Sequence, residues 1–154
     1  MPCPKCEQIP NTHSFLKFGQ KDDVTYWYTA PVDAVETVDS LEKYEALKLH
    51  MEIVKADAQW IWVFNCTNMR AHHHTPLKFM QLLVKSLSTE HGDSLKEIWF
   101  VNPNMWIKTT IQLLRPFVHK KFLSKIVFVP DMGVEFITKL NGVRYLSIDR
   151  KSVV

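Results

Sequence analysis

A chain of 154 residues with 46% hydrophobic and 23% charged content suits one compact domain, a size at which about 70% of the unfolded surface is buried on folding. The net charge of +3 falls well short of the basic density that counterion-driven nucleic-acid binding demands, and no stretch reaches the roughly 18 uninterrupted apolar residues of a membrane span or supplies a signal-peptide core. Cys3, Cys6 and Cys66, an odd and scattered set, make no disulfide framework, so a reducing cytoplasmic location fits.

Residues 1–20 are Pro-rich and read as an irregular N-terminal segment, with the folded domain expected over 21–154. Tyr26–Val35 reads as one strand or a bent pair interrupted by Pro31. Asp39 followed by Glu42 looks like a capping box opening a helix to about Lys55, with Tyr44, Leu47, Met51 and Val54 on one face. Trp60–Phe64 is a strand of the sheet centre. Thr75-Pro76 predicts the start of a helix Leu77–Glu90 that turns Leu77, Met80, Val84 and Leu87 inward and stops at Gly92.

Two wholly apolar strands, Ile98–Val101 and Ile126–Val129, then bracket a crossover helix, as in a parallel sheet covered on both faces. Gly133–Leu140 reads as a short helix and Val143–Ile148 as a last strand. Alternating strands and helices give an α/β class with a mostly parallel central sheet and helices on both faces.

The crossover helix carries the strongest functional signal. Wound at 3.6 residues per turn, it places Trp106, Thr110, Leu113 and Phe117 on one row and Ile107, Ile111, Leu114 and Val118 on the next. Only a narrow stripe of Lys108, Gln112, Arg115 and His119 is polar. So much apolar circumference suits a helix that covers a hydrophobic ligand with one row and meets a membrane with the other. Lys108, Arg115, Lys120 and Lys121 lie in the same segment, and each basic residue near an anionic surface contributes about 1 kcal/mol.

Trp60–Asn65, then Asn102-Pro103-Asn104, the amphipathic helix with Leu113-Leu114-Arg115-Pro116-Phe117-Val118, and Leu123-Ser124-Lys125-Ile126-Val127-Phe128-Val129 form an ordered series. In this series the chain resembles the CRAL-TRIO lipid-binding and lipid-transfer family. The resemblance implies that the crossover helix is the gate of a lipid pocket, built here from Trp106, Ile107, Thr110, Ile111, Leu114, Phe117 and Val118. It further implies a headgroup site, with Asp93 where phosphatidylinositol-binding members carry a glutamate and Lys125 on their headgroup lysine. The family's threonine three residues before that lysine is Phe122 here, and the acidic residue usual at the end of the central strand is Asn65. No residues before Tyr26 can hold the family's helical extension, so a minimal, lobe-only member is expected.

Other motifs point away from chemistry. Cys3-Pro-Lys-Cys6 has redox or half-zinc spacing and His13 could add a ligand, but no strand precedes it and no second pair follows, so an incidental, frayed pair is expected. His72-His73-His74 follows the central strand and reads as a solvated loop. Four glycines, Gly19, Gly92, Gly133 and Gly142, allow neither a dinucleotide fingerprint nor a phosphate loop, and there is no Gly-x-Ser-x-Gly elbow. Asp93, Asp131 and Glu135 are isolated acids beside loops. No enzyme, metal or cofactor is expected. The expected function is binding, with transfer or presentation, of a phospholipid or other hydrophobic ligand, a phosphoinositide among those implied, at an anionic membrane surface. The alternative is a protein-interaction scaffold of the same fold whose pocket has filled with side chains.

Overall fold

The computed structural model of the chain describes residues 3–70, 73–131 and 133–145, so most of the expected strand Val143–Ile148 lies outside them. Six strands form one sheet in the order β5-β4-β3-β2-β1-β6. They are β1 (Leu16–Lys21), β2 (Val24–Thr29), β3 (Gln59–Asn65), β4 (Leu95–Val101), β5 (Ile126–Val129) and the short β6 (Arg144–Tyr145). Strands β2 to β5 run parallel, while β1 is antiparallel to both β2 and β6. The register sets Trp27 beside Trp62, Val63 beside Trp99 and Phe100 beside Phe128.

The chain steps in one direction along the sheet from β2 to β5, crossing over through α2 (Leu41–Val54), α3 (Leu77–Glu90) and α4 (Met105–Leu114). Parallel crossovers share one hand, so successive steps in one direction put all three helices on the same face. The core on that face joins Trp27, Trp60, Trp62, Ile98 and Phe100 of the strands to Tyr44, Leu47, Met51, Leu83, Leu87, Ile107 and Ile111 of the helices. Tyr26, Ile61, Val63, Trp99 and Val101 point to the opposite face, where the short helix Val134–Lys139 contributes Phe136. Helices thus cover both faces, with α2, α3 and α4 on one and the short helix Val134–Lys139 on the other.

The structure corrects several local readings. The helix after Asp39 is capped by Ser40, whose hydroxyl accepts from the Lys43 amide at 3.4 Å. Pro76, without a side-chain acceptor, takes the place expected of Thr75 before α3. The expected strand Tyr26–Val35 stops at Thr29, and Pro31 opens a 3-10 turn, Pro31–Asp33, that its fixed φ suits. Leu16–Lys21, whose first five residues fall within the irregular segment expected over 1–20, is strand β1. Its Gly19 sits where β6 comes close: a Cβ there would lie 2.6 Å from the Val143 side chain.

The largest correction concerns the N-terminus. Residues 4–8 form the one-turn helix α1 (Pro4–Gln8), and Cys3, Cys6, Thr12, His13, Ser14 and Phe15 are all buried. Phe15 stacks on Trp27 with ring centroids 4.9 Å apart, and the Ser14 hydroxyl accepts from the Ala30 amide at 2.9 Å. The cysteine pair is therefore packed rather than frayed, because Phe15 supplies an aromatic anchor that pulls the preceding residues onto α2.

Candidate functional site

Helix α4 starts where the Asn104 side chain accepts from the Ile107 amide at 3.0 Å. It ends before Pro116, which cannot donate an amide proton, and the chain tightens into a 3-10 turn, Arg115–Phe117. The helix therefore spans Met105–Leu114 rather than running on to Val118. Ile107, Ile111 and Leu114 are buried against the sheet, and Val118 is half-buried.

Trp106 and Phe117, expected at the pocket, lie instead on the outer surface at 62% and 72% exposure. The reason is angular: with roughly 100° between successive helical residues, burial of the row through Ile107 turns the neighbouring row outward. Met105 and Leu113 share that outer surface at 76% and 53%. Thr110 sits between, half-buried, its hydroxyl donating to the Trp106 carbonyl at 2.8 Å.

Beneath α4 lie two small chambers. One, of about 70 Å³, is bounded by Leu47, Met69, Met80, Leu83, Ile107 and Thr110, with His13, Ser14 and Glu36 at its rim. The other, about 40 Å³, is bounded by Val84, Leu87, Ile98, Ile111, Leu114 and Phe122. Trp62, Phe64, Met80, Leu83 and Phe100 line both and so form the partition between them. The Trp62 indole is fixed by donating to the Thr29 hydroxyl at 2.7 Å. Together the chambers fall below the roughly 300–1,000 Å³ of a site holding a drug-sized ligand.

The carboxyl ends of the parallel strands are closed by asparagines. Asn65 donates to the Tyr28 hydroxyl at 2.9 Å and accepts from the Thr67 hydroxyl at 2.6 Å, while Asn102 donates to Thr67 at 3.2 Å. His74 approaches α4, its ring 5.9 Å from Trp106 and its Nε2 3.3 Å from the Asn104 amide nitrogen. His73 Nδ1 accepts from the Arg70 amide at 2.9 Å, and His72 lies outside the described residues.

At the opposite end of the strands a polar groove of about 630 Å³ is lined by Lys55, Glu90, Asp93, His119, Lys121 and Lys125 among others. Asp93 and Lys125 share it, but the structure pairs each elsewhere. The fully exposed Asp93 carboxylate lies 3.9 Å from Lys121 Nζ. The Lys125 ammonium donates to the Leu95 carbonyl at 2.8 Å and also to the Gly92 carbonyl. Burial holds the Lys125 pKa below its ordinary value, Lys121 pushes the same way, and Asp93 opposes them. An ammonium has three donors, so two carbonyls leave one for a further acceptor. Lys108, Arg115, Lys120 and Lys121 are all exposed around α4 and the turn after it.

Residues 41–141 match the CRAL/TRIO domain family. The chain belongs to that family. Among curated proteins, this CRAL/TRIO chain is 26% identical over 82 residues to the Rho GTPase-activating protein gacY of Dictyostelium discoideum, a match covering 53% of the chain and 11% of that relative. Among solved structures it is similar to Sfh5, with a TM-score of 0.63 at 12% identity over 79% of the chain and 50% of the Sfh5 chain. That likeness shows the fold. The chain thus spans only a small part of the one relative and half of the other. Its family is one of lipid-binding domains, and among the described residues no helix is long and apolar enough to cross a membrane.

Sequence reasoning missed one buried group. His50 of α2 lies among Tyr44, Leu47, Met51 and Val54 on the inner face. Its signal was a titratable residue in a row otherwise reserved for the core, three residues after Leu47 and four before Val54.

Proposed function

We propose that this CRAL/TRIO chain is a peripheral lipid-binding module that docks on anionic membranes through the outer row of α4 and admits one hydrophobic or phospholipid ligand beneath that helix. The observation that carries this reading is the two-sided character of α4. Ile107, Ile111 and Leu114 close the chambers, while Met105, Trp106, Leu113 and Phe117 stay exposed. Exposed large apolar side chains in one continuous patch signal a binding surface. Here the patch is flanked by Lys108, Arg115, Lys120 and Lys121, the pattern of an interfacial helix with basic residues beside its apolar face.

The same arrangement supplies an opening mechanism. Moving α4 off the sheet exposes its inner row, at a cost of about 1.5–3 kcal/mol for each large apolar side chain returned to water. Insertion of the outer row into the lipid interface offsets that cost, so the chambers enlarge where lipid is available. The groove with Lys121, Lys125 and Asp93 is suited to a polar headgroup: the free Lys125 donor takes a phosphate oxygen, and the carboxylate accepts from inositol hydroxyls.

The small volume of the chambers favours a second reading, a protein-interaction scaffold with a filled pocket. Two measurements separate them. Native mass spectrometry of protein from a eukaryotic host should find a co-purified lipid, and vesicle sedimentation should require anionic lipid and weaken with salt, because surface charge is screened within about 10 Å at moderate ionic strength. Lys120→Glu with Lys121→Glu should reduce sedimentation while leaving the fold intact. A lipid-free protein that ignores vesicles of either charge would support the scaffold.

A further inference from the structure

Four buried side chains converge at the N-terminus, and only His13 among them also borders the larger chamber. Cys3 and Cys6 bracket the first turn of α1, His13 follows in the loop to β1, and His50 comes from the inner face of α2. The two sulfurs, His13 Nδ1 and His50 Nε2 all lie within 4.8 Å of one another. The geometry points to a structural zinc site with Cys3, Cys6, His13 and His50 as its tetrahedral ligands.

Four of the six ligand separations match such a site, and the other two lie within 4.8 Å. Zinc bonds of about 2.3 Å to sulfur and 2.0–2.1 Å to nitrogen, at tetrahedral angles, put two nitrogens about 3.3 Å apart and a sulfur and a nitrogen about 3.6 Å apart. His50 Nε2 lies 3.4 Å from His13 Nδ1. Cys3 Sγ lies 3.6 Å from His13 Nδ1, and Cys6 Sγ lies 3.7 Å from His13 Nδ1 and 3.4 Å from His50 Nε2. Four buried donor atoms this close together, among aromatic rings, gain far more from a shared cation than from hydrogen bonds to each other.

Charge balance favours the same occupant. Binding converts two thiols to thiolates with release of two protons, so the dication and its ligands sum to zero, which suits a buried centre. His13 Nε2, on the far side of the ring, lies 3.5 Å from a Glu36 carboxylate oxygen. Both atoms are buried and lack a hydrogen bond of ordinary length. With Nδ1 on the metal, Nε2 must carry the proton, and it faces a carboxylate as metal-bound imidazoles commonly do. Lys5 also reaches Glu36 at 3.5 Å. The donor set, two sulfurs and two imidazoles with no open position, is that of a structural site rather than a catalytic one.

The consequence is mechanical. The metal would rivet residues 3–13 to α2, and through His13, Ser14 and Glu36 it would fix one rim of the larger chamber.

The test uses tag-free full chain. Elemental analysis should find one zinc per chain, and exchange with cobalt should give visible ligand-field absorption together with a thiolate-to-cobalt charge-transfer band that the His73 and His74 loop cannot produce. Cys6→Ser and His50→Gln should each abolish the band. Glu36→Gln should keep it and weaken metal affinity by about 10–100-fold. Cys66→Ala, remote from the cluster, should leave stoichiometry unchanged. Should the ligand variants fail to fold, titration of the natural chain with a chelator stands in, with a fall in Tm reversed by added zinc as the expected result. Absence of zinc and of the cobalt charge-transfer band, or a stoichiometry unaffected by a folded Cys6→Ser chain, would overturn the assignment.

Discussion

Replacing Phe100 by alanine is the most direct way to ask whether the aromatic partition is a pocket wall or an inert core. Phe100 is 6% exposed, lines both chambers and packs its ring 5.5 Å from that of Phe64. Its truncation joins the spaces of about 70 and 40 Å³ through the vacated ring volume. A Phe-to-Ala change in a core costs about 3–5 kcal/mol, the spread reflecting how far the surroundings collapse. An apolar ligand that enters the enlarged space returns part of this, about 2.7 kcal/mol at a free concentration of 100 times Kd. Urea unfolding with and without a long-chain fatty acid should therefore show a larger ligand-induced stabilisation for Phe100→Ala than for the natural chain. Val63→Ala, on the opposite face of the sheet, serves as the control and should lose stability with no gain in ligand response. Equal ligand responses in Phe100→Ala and Val63→Ala would refute the reasoning, since the partition would then separate nothing that a ligand can occupy.

Asn104→Ala removes the side chain that accepts from the Ile107 amide and should lower stability by about 1 kcal/mol in urea unfolding, with hydrogen exchange rising first in the opening turn of α4. Asp93→Ala, at a fully exposed position, should leave stability unchanged while lowering phosphoinositide selectivity in vesicle assays. Lys125→Ala should lower both, because it also strips the Gly92 and Leu95 carbonyls of a donor, and unchanged selectivity in both variants would remove the headgroup site. Burial against Trp60 holds the His91 pKa below its ordinary value, so the folded state disfavours the proton. Stability from His91 is then complete above the unfolded value of about 6.5 and declines as pH falls from there toward the lower folded pKa. His91→Phe should flatten that part of the stability curve, and an unchanged slope would show that His91 opens to water before it titrates.

The parallel sheet was legible because its strands are apolar on both faces, a pattern that Trp60–Phe64, Ile98–Val101 and Ile126–Val129 carry without help from neighbours. Pro116 carries an equally local signal, a missing amide donor, that sets the end of α4. What escaped were features set by distant partners. Leu16–Lys21 loses its apolar alternation at Gly19-Gln20-Lys21 and becomes a strand only because β2 and β6 flank it. Cys3, Cys6 and His13 drew attention as a set short of ligands, and the missing one lay 37 positions beyond His13 on a helix whose turn count happens to aim it back. Sequence spacing finds metal sites whose ligands come in paired local clusters. It does not find a site that borrows its fourth ligand from a crossover helix.

The two rows of α4 illustrate a different limit. Periodicity separated Trp106, Thr110, Leu113 and Phe117 from Ile107, Ile111, Leu114 and Val118, yet both rows are predominantly apolar, and one threonine is too weak a signal to say which one meets the sheet. The structure decides through Asn104, whose cap fixes where the helix begins, and through the short path from Val101, which fixes how the helix turns toward the strand it has just left. The same reasoning explains why the pocket could not be sized from sequence. Trp62, Phe64 and Phe100 are aromatic residues on neighbouring parallel strands whether they line a cavity or fill one. Only the distance at which α4 stands off the sheet distinguishes the cases, and that distance is open to change if the outer row of the helix finds a lipid interface. The filled and the lipid-binding readings are in this sense two positions of a single helix.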